Sequence, residues 1–167
     1  MRYRFDVVAA NATEAVKFAG GWMYDRVMAG WDVTVLLADR SDVRPLDILG
    51  VATSDLDAAL ATWADRPHPQ TVAVSADLFA SNARVREGVR GALEHGLTEV
   101  TLWGEDWPAE LDDSVEPVVH RLSSAARAFK GQALTAAADG GAVTGTETFR
   151  CGEMAKPSVA ADLIPAS

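Results

Sequence analysis

Cysteine is almost absent from this chain. Cys151 stands alone among 167 residues, so neither a disulfide framework nor a cysteine-based metal cluster can form. Lysine is scarce as well, with three against twelve arginines. No run of 18 apolar residues occurs, which excludes a membrane-spanning helix. The opening Met1-Arg2-Tyr3-Arg4-Phe5-Asp6 passes directly into a strand pattern, without the apolar stretch of a signal peptide. Together these absences point to the cytoplasm. A G-x-G-x-x-G turn is also missing, which argues against conventional NAD or FAD binding, and so is the G-x-x-x-x-G-K-S/T of a Walker A phosphate loop. His68, His95 and His120 are scattered, with no H-x-x-E partner and no G-x-S-x-G serine to suggest a hydrolytic triad. No metal and no cofactor is expected.

What the chain does carry is apolar patterning. At 49% hydrophobic it can bury one substantial core. A net charge of −9 opposes broad contact with a phosphate backbone. Two basic groups, Arg84, Arg86 and Arg90, then Arg121, Arg127 and Lys130, read as solvated helix faces balanced by Glu87 and Glu94. Nucleic acid is therefore not expected as a partner.

Phe5-Asp6-Val7-Val8-Ala9 is short, apolar and β-rich, and reads as a first strand. Asn11 with Glu14 three residues on resembles a capping box and predicts a helix over 12–29. Gly30 stands where that helix needs a left-handed residue to stop, and Trp31 follows as the hydrophobic partner of the stop. Residues 32–38 are nearly continuous apolar β sequence, as in a parallel strand covered on both faces. The same helix–Gly–strand grammar recurs over 93–103. Between these units, residues 46–51 read as a short strand. Ser54 and Asp57 form a capping box for a helix striped by Leu56, Ala59, Leu60 and Trp63. Residues 71–74 make another buried strand, and Ser81 or Asn82 caps a helix carrying Val85, Val89, Ala92 and Leu93. A last helix, striped by Val118, Leu122, Ala125 and Phe129, fades near Ala138.

Residues 139–167 lack any sustained period and predict a flexible tail. Truncation after Ala138 should on this reading shift the melting midpoint by only a few degrees. The fold class expected is α/β: one domain over 1–138, a three-layer sandwich whose mostly parallel sheet of four to five strands has helices on both faces. Its topology would be Rossmann-like or degenerate RecA-like.

Two glycines interrupt the first helix. At 100° per residue Gly20 falls at the edge of the buried face and Gly21 near the centre of the exposed one, where each costs roughly 1 kcal/mol against alanine. Gly20 would let another backbone approach, whereas Gly21 implies a kink or a contact outside the core. Of the five tryptophans, Trp22 and Trp107 are the best candidates for exposure. Gly20, Gly21, Trp22 and Trp107 thus make a candidate interaction surface. Gly20→Ala should destabilise, and Gly21→Ala should be neutral or stabilising.

Ligands of open α/β sheets sit beyond the carboxyl ends of the strands. The residues placed there that form a candidate ligand site are Asn11, Asp39, Ser75, Asp77, Glu105 and Asp106. Asp39, Asp77, Glu105 and Asp106 would suit Mg²⁺ as an acidic cluster, although Asp and Ser also gather at such ends to cap helices and form turns. The segment "ALEHGLTEVTLWGE", residues 92–105, resembles the helix–Gly–strand segment of RecA-like proteins that have lost the phosphate loop, such as the cell-division inhibitors and mutagenesis accessories of the SOS response. The resemblance covers about a tenth of the chain.

With no catalytic signature, the leading expectation is a non-enzymatic cytoplasmic module acting through a protein partner or as a homo-oligomer. One alternative is a small-ligand or Mg²⁺-dependent enzyme processing phosphoryl groups or nucleotides with the acidic strand ends. The other, implied by the resemblance, is a Walker-less RecA-like accessory protein of the DNA-damage response.

Overall fold

Two-residue alternation along the first strand sends Phe5, Val7 and Ala9 to one core and Val8 to another on the opposite face of the sheet. In the second strand Val33, Val35 and Leu37 join the first core and Leu36 the second. The computed structural model describes residues 2–104, 115–152 and 162–165. Within them the chain runs β1 (Arg4–Ala9), α1 (Ala12–Met28), β2 (Asp32–Leu37), α2 (Arg44–Leu49), β3 (Ala52–Asp55), α3 (Leu56–Ala61) and β4 (Thr71–Ser75). It continues with α4 (Ala76–Ser81), α5 (Ala83–His95), β5 (Glu99–Trp103), β6 (Val115–Arg121), α6 (Ser124–Ala136), β7 (Thr146–Gly152) and β8 (Ile164–Pro165). Among the described residues no helix is long and apolar enough to cross a membrane.

The strands form one sheet in the order β3-β2-β1-β4-β5-β7-β6-β8. Neighbours from β3 to β5 are parallel, whereas β7 runs antiparallel to both β5 and β6, and β8 antiparallel to β6. This corrects the expected Rossmann-like or RecA-like sheet of four to five mostly parallel strands: the sheet is mixed and has eight strands among the described residues. Of the strands missing from that expectation, β3 precedes Gly104 and β6, β7 and β8 follow it. Val118 does not open the last helix but lies in β6, and α6 begins only after Ser123, whose side chain accepts from the Ala126 N–H. The tail expected over 139–167 contains β7, which sits inside the sheet with Thr101 opposite Cys151 and His120 opposite Glu147. A domain boundary at 138 therefore cuts through the sheet. Residues 46–51 are not a strand either. Pro45 in the first turn favours a helix start, and Gly50, at φ 76°, ends α2 in the left-handed region.

The first unit follows its local signals closely. The Asn11 side chain accepts from Glu14 N–H at 2.9 Å, while the Glu14 carboxylate accepts from Ala10 N–H at 2.9 Å. At the other end of α1, Gly30 has φ 92°. The Trp31 N–H reaches back to the Arg26 carbonyl at 3.0 Å and Gly30 N–H to that of Val27 at 3.0 Å, the paired bonds of a Schellman stop.

Around Gly21 the face of α1 assigned to solvent is covered. Gly20, Gly21 and Trp22 are buried together in the core. A methyl group at Gly21 would run into Cγ and Cδ2 of Leu122, whereas one at Gly20 would meet Val16 Cγ1 at 3.2 Å and Leu49 Cδ1 at 3.4 Å. The two expectations for these glycines are thereby reversed in order. Gly21→Ala should destabilise by about 1–3 kcal/mol through overpacking, which outweighs a gain of roughly 1 kcal/mol in helix propensity. Urea unfolding checks this, and a Gly21→Ala midpoint at or above the wild-type value would show that Leu122 moves aside freely.

Charged groups bury themselves around the same helix. Glu147 of β7 accepts from the amides of Gly21 (2.8 Å) and Trp22 (2.7 Å) and from the Lys130 ammonium (2.7 Å). Burial pushes the Glu147 carboxyl above its ordinary value, against the pull of Lys130 and the two amides. Further along α1, the Arg26 guanidinium lies 4.1 Å from the Trp31 ring and 4.5 Å from that of Trp22, and bonds Asp162 twice at 2.8 Å. Desolvation works to raise the Asp162 carboxyl, but Arg26, Trp22 and His120 together carry it below the usual carboxylate range. Residues near the chain end are thus fastened to the first helix.

Candidate functional site

The strand order reverses at β1, since β2 and β3 extend to one side of it and β4 and β5 to the other. Such a reversal opens a crevice at the carboxyl ends of the two diverging strands, here β1 and β4. One carboxylate bridges it. Glu14, in the first turn of α1, accepts from Ala10 N–H through Oε1, while its Oε2 accepts from the Ser75 hydroxyl at 3.2 Å. Ser75 ends β4 and is almost wholly buried. Its oxygen also accepts from the Leu78 N–H at 3.4 Å, so the hydroxyl proton is directed onto Glu14. A carboxylate offers about four acceptor sites, which leaves Glu14 able to take a further proton donor from the cleft.

On the β2 side of this carboxylate a cleft of about 470 Å³ is walled by Asn11, Ala12, Thr13, Glu14, Lys17 and Phe18 of the α1 start, with Asp39, Ser41 and Asp42 beyond β2 and Asp139 after α6. Four carboxylates face one ammonium. Backbone and side-chain hydrogen bonds from Ser41 hold the Asp39 carboxyl below its ordinary range, and side-chain and backbone bonds from Arg44 do the same for Asp42. Both are charged at neutral pH, so the rim is anionic, while the amino end of α1 contributes partial positive charge at the floor.

Lys17 and Phe18 also border a second cleft of about 470 Å³. There β5 and β7 pair only through Thr101–Cys151 and Leu102–Arg150, and Trp103, Gly104, Thr148 and Phe149 line the opening beyond. The Phe18 and Trp103 rings stack at 6.2 Å and 15°. The buried Trp103 Nε1 has no hydrogen-bond partner among the described residues. Both clefts therefore meet at one turn of α1.

The sequence-derived site is partly assembled. Asn11 and Asp39 line the first cleft, and Ser75 reaches it through Glu14. Asp77 is exposed on α4 and lines neither cleft. Glu105 and Asp106 lie outside the described residues, as does Trp107. The acidic cluster considered for Mg²⁺ is not assembled: among the described residues, no three His, Cys, Asp or Glu side chains gather as a metal site. Gly20, Gly21 and Trp22 offer no outer surface, and the Trp22 indole N–H donates inward to Asp162 at 2.8 Å. Among the wall residues that sequence reasoning missed are Glu14, Lys17, Phe18, Asp42 and Asp139. Glu14 was visible only as a helix-capping partner, and its position right after the first strand is the signal that would have singled it out.

No family model matches the chain, and no curated protein does. Solved structures do. A deacetylase of teicoplanin biosynthesis, in complex with teicoplanin, superposes with a TM-score of 0.62 at 14% identity, over 89% of this chain and 98% of that one. The deacetylase of the A40926 pseudoaglycone gives a TM-score of 0.60 at 15% identity, over 100% and 99%. A zinc-inhibited form of teicoplanin deacetylase gives 0.59 at 13% identity, over 89% and 97%. The fold is thus that of known deacetylases. This likeness overturns the expected non-enzymatic interaction module, along with the phosphoryl-processing enzyme and the RecA-like accessory protein.

Proposed function

We propose that the chain is a deacylase, hydrolysing an acylated, polar, sugar-like small molecule in the crevice that Glu14 lines at the ends of β1 and β2. The observation that carries this reading is the Glu14 carboxylate, fixed between Ala10 and Ser75 at the floor of a cleft in a deacetylase fold. In the reaction Glu14 takes a proton from water as the water oxygen bonds to the acyl carbon. The carbonyl oxygen becomes an oxyanion facing the amino end of α1, where partial positive charge favours it. The acyl C–N or C–O bond then breaks, and the proton held by Glu14 passes to the departing amine or alkoxide. Carboxylic acid and amine or alcohol are the products. The anionic rim of Asp39, Asp42 and Asp139 would retain an amine product or a polyhydroxy substrate and disfavour anionic ones. A single, half-buried cysteine offers nothing to an oxidising compartment, and the reading sets the reaction in the cytoplasm.

An NMR titration with an N-acetylated amino sugar tests where ligand binds. Amide shifts should concentrate in residues 11–18 and 39–42 and at Ser75. Shifts confined to another face of the sheet, or none at millimolar sugar, would refute the crevice as the site.

A further inference from the structure

Zinc acts on one protein of this fold as an inhibitor, and zinc makes definite demands on its ligands. A protein zinc site uses three or four ligands drawn from His, Cys, Asp and Glu, with His nitrogen and Cys sulfur preferred. This chain has three histidines and one cysteine, all described, and none borders the crevice. His68 and His95 face each other with rings 4.2 Å apart, before β4 and β5 and so at the opposite, amino end of the parallel strands. His95 Nδ1 is already taken by the Leu97 N–H at 2.9 Å. His120 is engaged through both ring nitrogens, with Asp25 at 2.8 Å and the Asp162 carbonyl at 3.0 Å. Burial, with the charges of Glu99 and Glu116, pushes the Cys151 thiol up to about 12, so it stays a thiol at neutral pH and a poor ligand.

The carboxylates of the cleft have protein partners of their own, and none has a His or Cys beside it. Glu14 is held through both oxygens. Asp42 bonds Arg44 through both of its own, at 3.0 Å each. Asp39 accepts from Ser41 N–H at 2.9 Å and Asp139 from Gly141 N–H at 3.2 Å. Among the described residues no three of these side chains converge, and a cleft lined by no His or Cys does not fit zinc.

We infer that this crevice works without a bound transition metal, and that Ser75 is the positioning residue that holds its carboxylate in place. The inference rests on the deacylase reading for the role of Glu14, but its metal half is tested without turnover. The Ser75 hydroxyl bonds a carboxylate and an amide at once, which fixes the rotation of the Glu14 side chain that a coordinated ion would otherwise fix.

Zinc chloride titrated by calorimetry into wild type, Glu14→Gln and His68→Ala, with no substrate present, reads the first half. The expected result is no binding that depends on Glu14. Weak binding kept in Glu14→Gln and lost in His68→Ala belongs to the distant histidine pair and agrees with the inference. One zinc per chain at micromolar affinity, lost in Glu14→Gln, overturns it. For the second half, Ser75→Ala should lower kcat for acetate release about tenfold with KM unchanged, since it removes orientation and not substrate contact. Ser75→Thr, which restores the hydroxyl, should recover most of the loss. An unchanged kcat in Ser75→Ala overturns the positioning role. Absence of turnover in wild type would count against the deacylase reading and leave the zinc titration standing.

Discussion

A chain ending at Ala138 is expected to have no cooperative melting transition. The cut removes β7 from between β5 and β6, so the antiparallel part of the sheet loses the strand that joins it to the parallel part. It removes Phe149, which is 1% exposed and has its ring 4.8 Å from that of Trp22; losing a buried phenylalanine side chain costs about 3–5 kcal/mol. It also removes Glu147 and leaves the Lys130 ammonium, 4% exposed, without its carboxylate, a further loss of roughly 3–5 kcal/mol for an unpaired buried charge. Arg26 loses Asp162 as well. Since a domain of this kind holds only about 5–15 kcal/mol in total, these losses consume it. Circular dichroism on heating the truncated chain reads the outcome. A cooperative transition within a few degrees of the full chain, as the residue pattern alone suggests, would mean that β7 is not part of the core.

That contrast shows which parts of the fold the residues disclose. The opening unit was legible because its signals are local. Asn11 and Glu14 cap the helix within four residues, and Gly30 and Trp31 stop it within another two. β7 was not, because one of its buried positions is a glutamate. Thr-Glu-Thr-Phe-Arg alternates as a strand should, yet Glu147 counts as polar until Lys130 and the amides of Gly21 and Trp22, more than 120 residues earlier, are brought beside it. The paired glycines were misjudged for a related reason. A helix wheel divides a helix between one core and solvent, whereas α1 has the sheet on one side and Leu122 and α6 on the other. β6 was lost in a helical stripe because Val118 and Leu122 stand four apart, a spacing that a strand and the segment after it can also produce.

The candidate site divides the same way. Asn11, Asp39 and Ser75 were found because they follow strands, which is where any open α/β sheet places ligand contacts. Asp77 follows a strand too, but points to solvent from α4. What no spacing reveals is that Glu14 and Ser75, 61 residues apart, share a hydrogen bond, because that depends on β1 and β4 being neighbours in the sheet.

The most direct test of the account is acetate release from N-acetylated amino sugars and O-acetylated phenols by wild type and Glu14→Gln. Glutamine keeps the acceptor for Ala10 N–H and nearly the same volume, so the helix start should be preserved, at a cost of about 1–3 kcal/mol for the Ser75 hydroxyl that loses its acceptor. It cannot take a proton from water, and loss of a positioned general base costs about 10²–10⁴-fold in rate. The account predicts measurable release by wild type from at least one of these substrates and a fall of that size in Glu14→Gln, with the variant still folded at the assay temperature. Equal release by the two proteins would contradict it, and so would a wild-type rate no higher than that of buffer across every substrate.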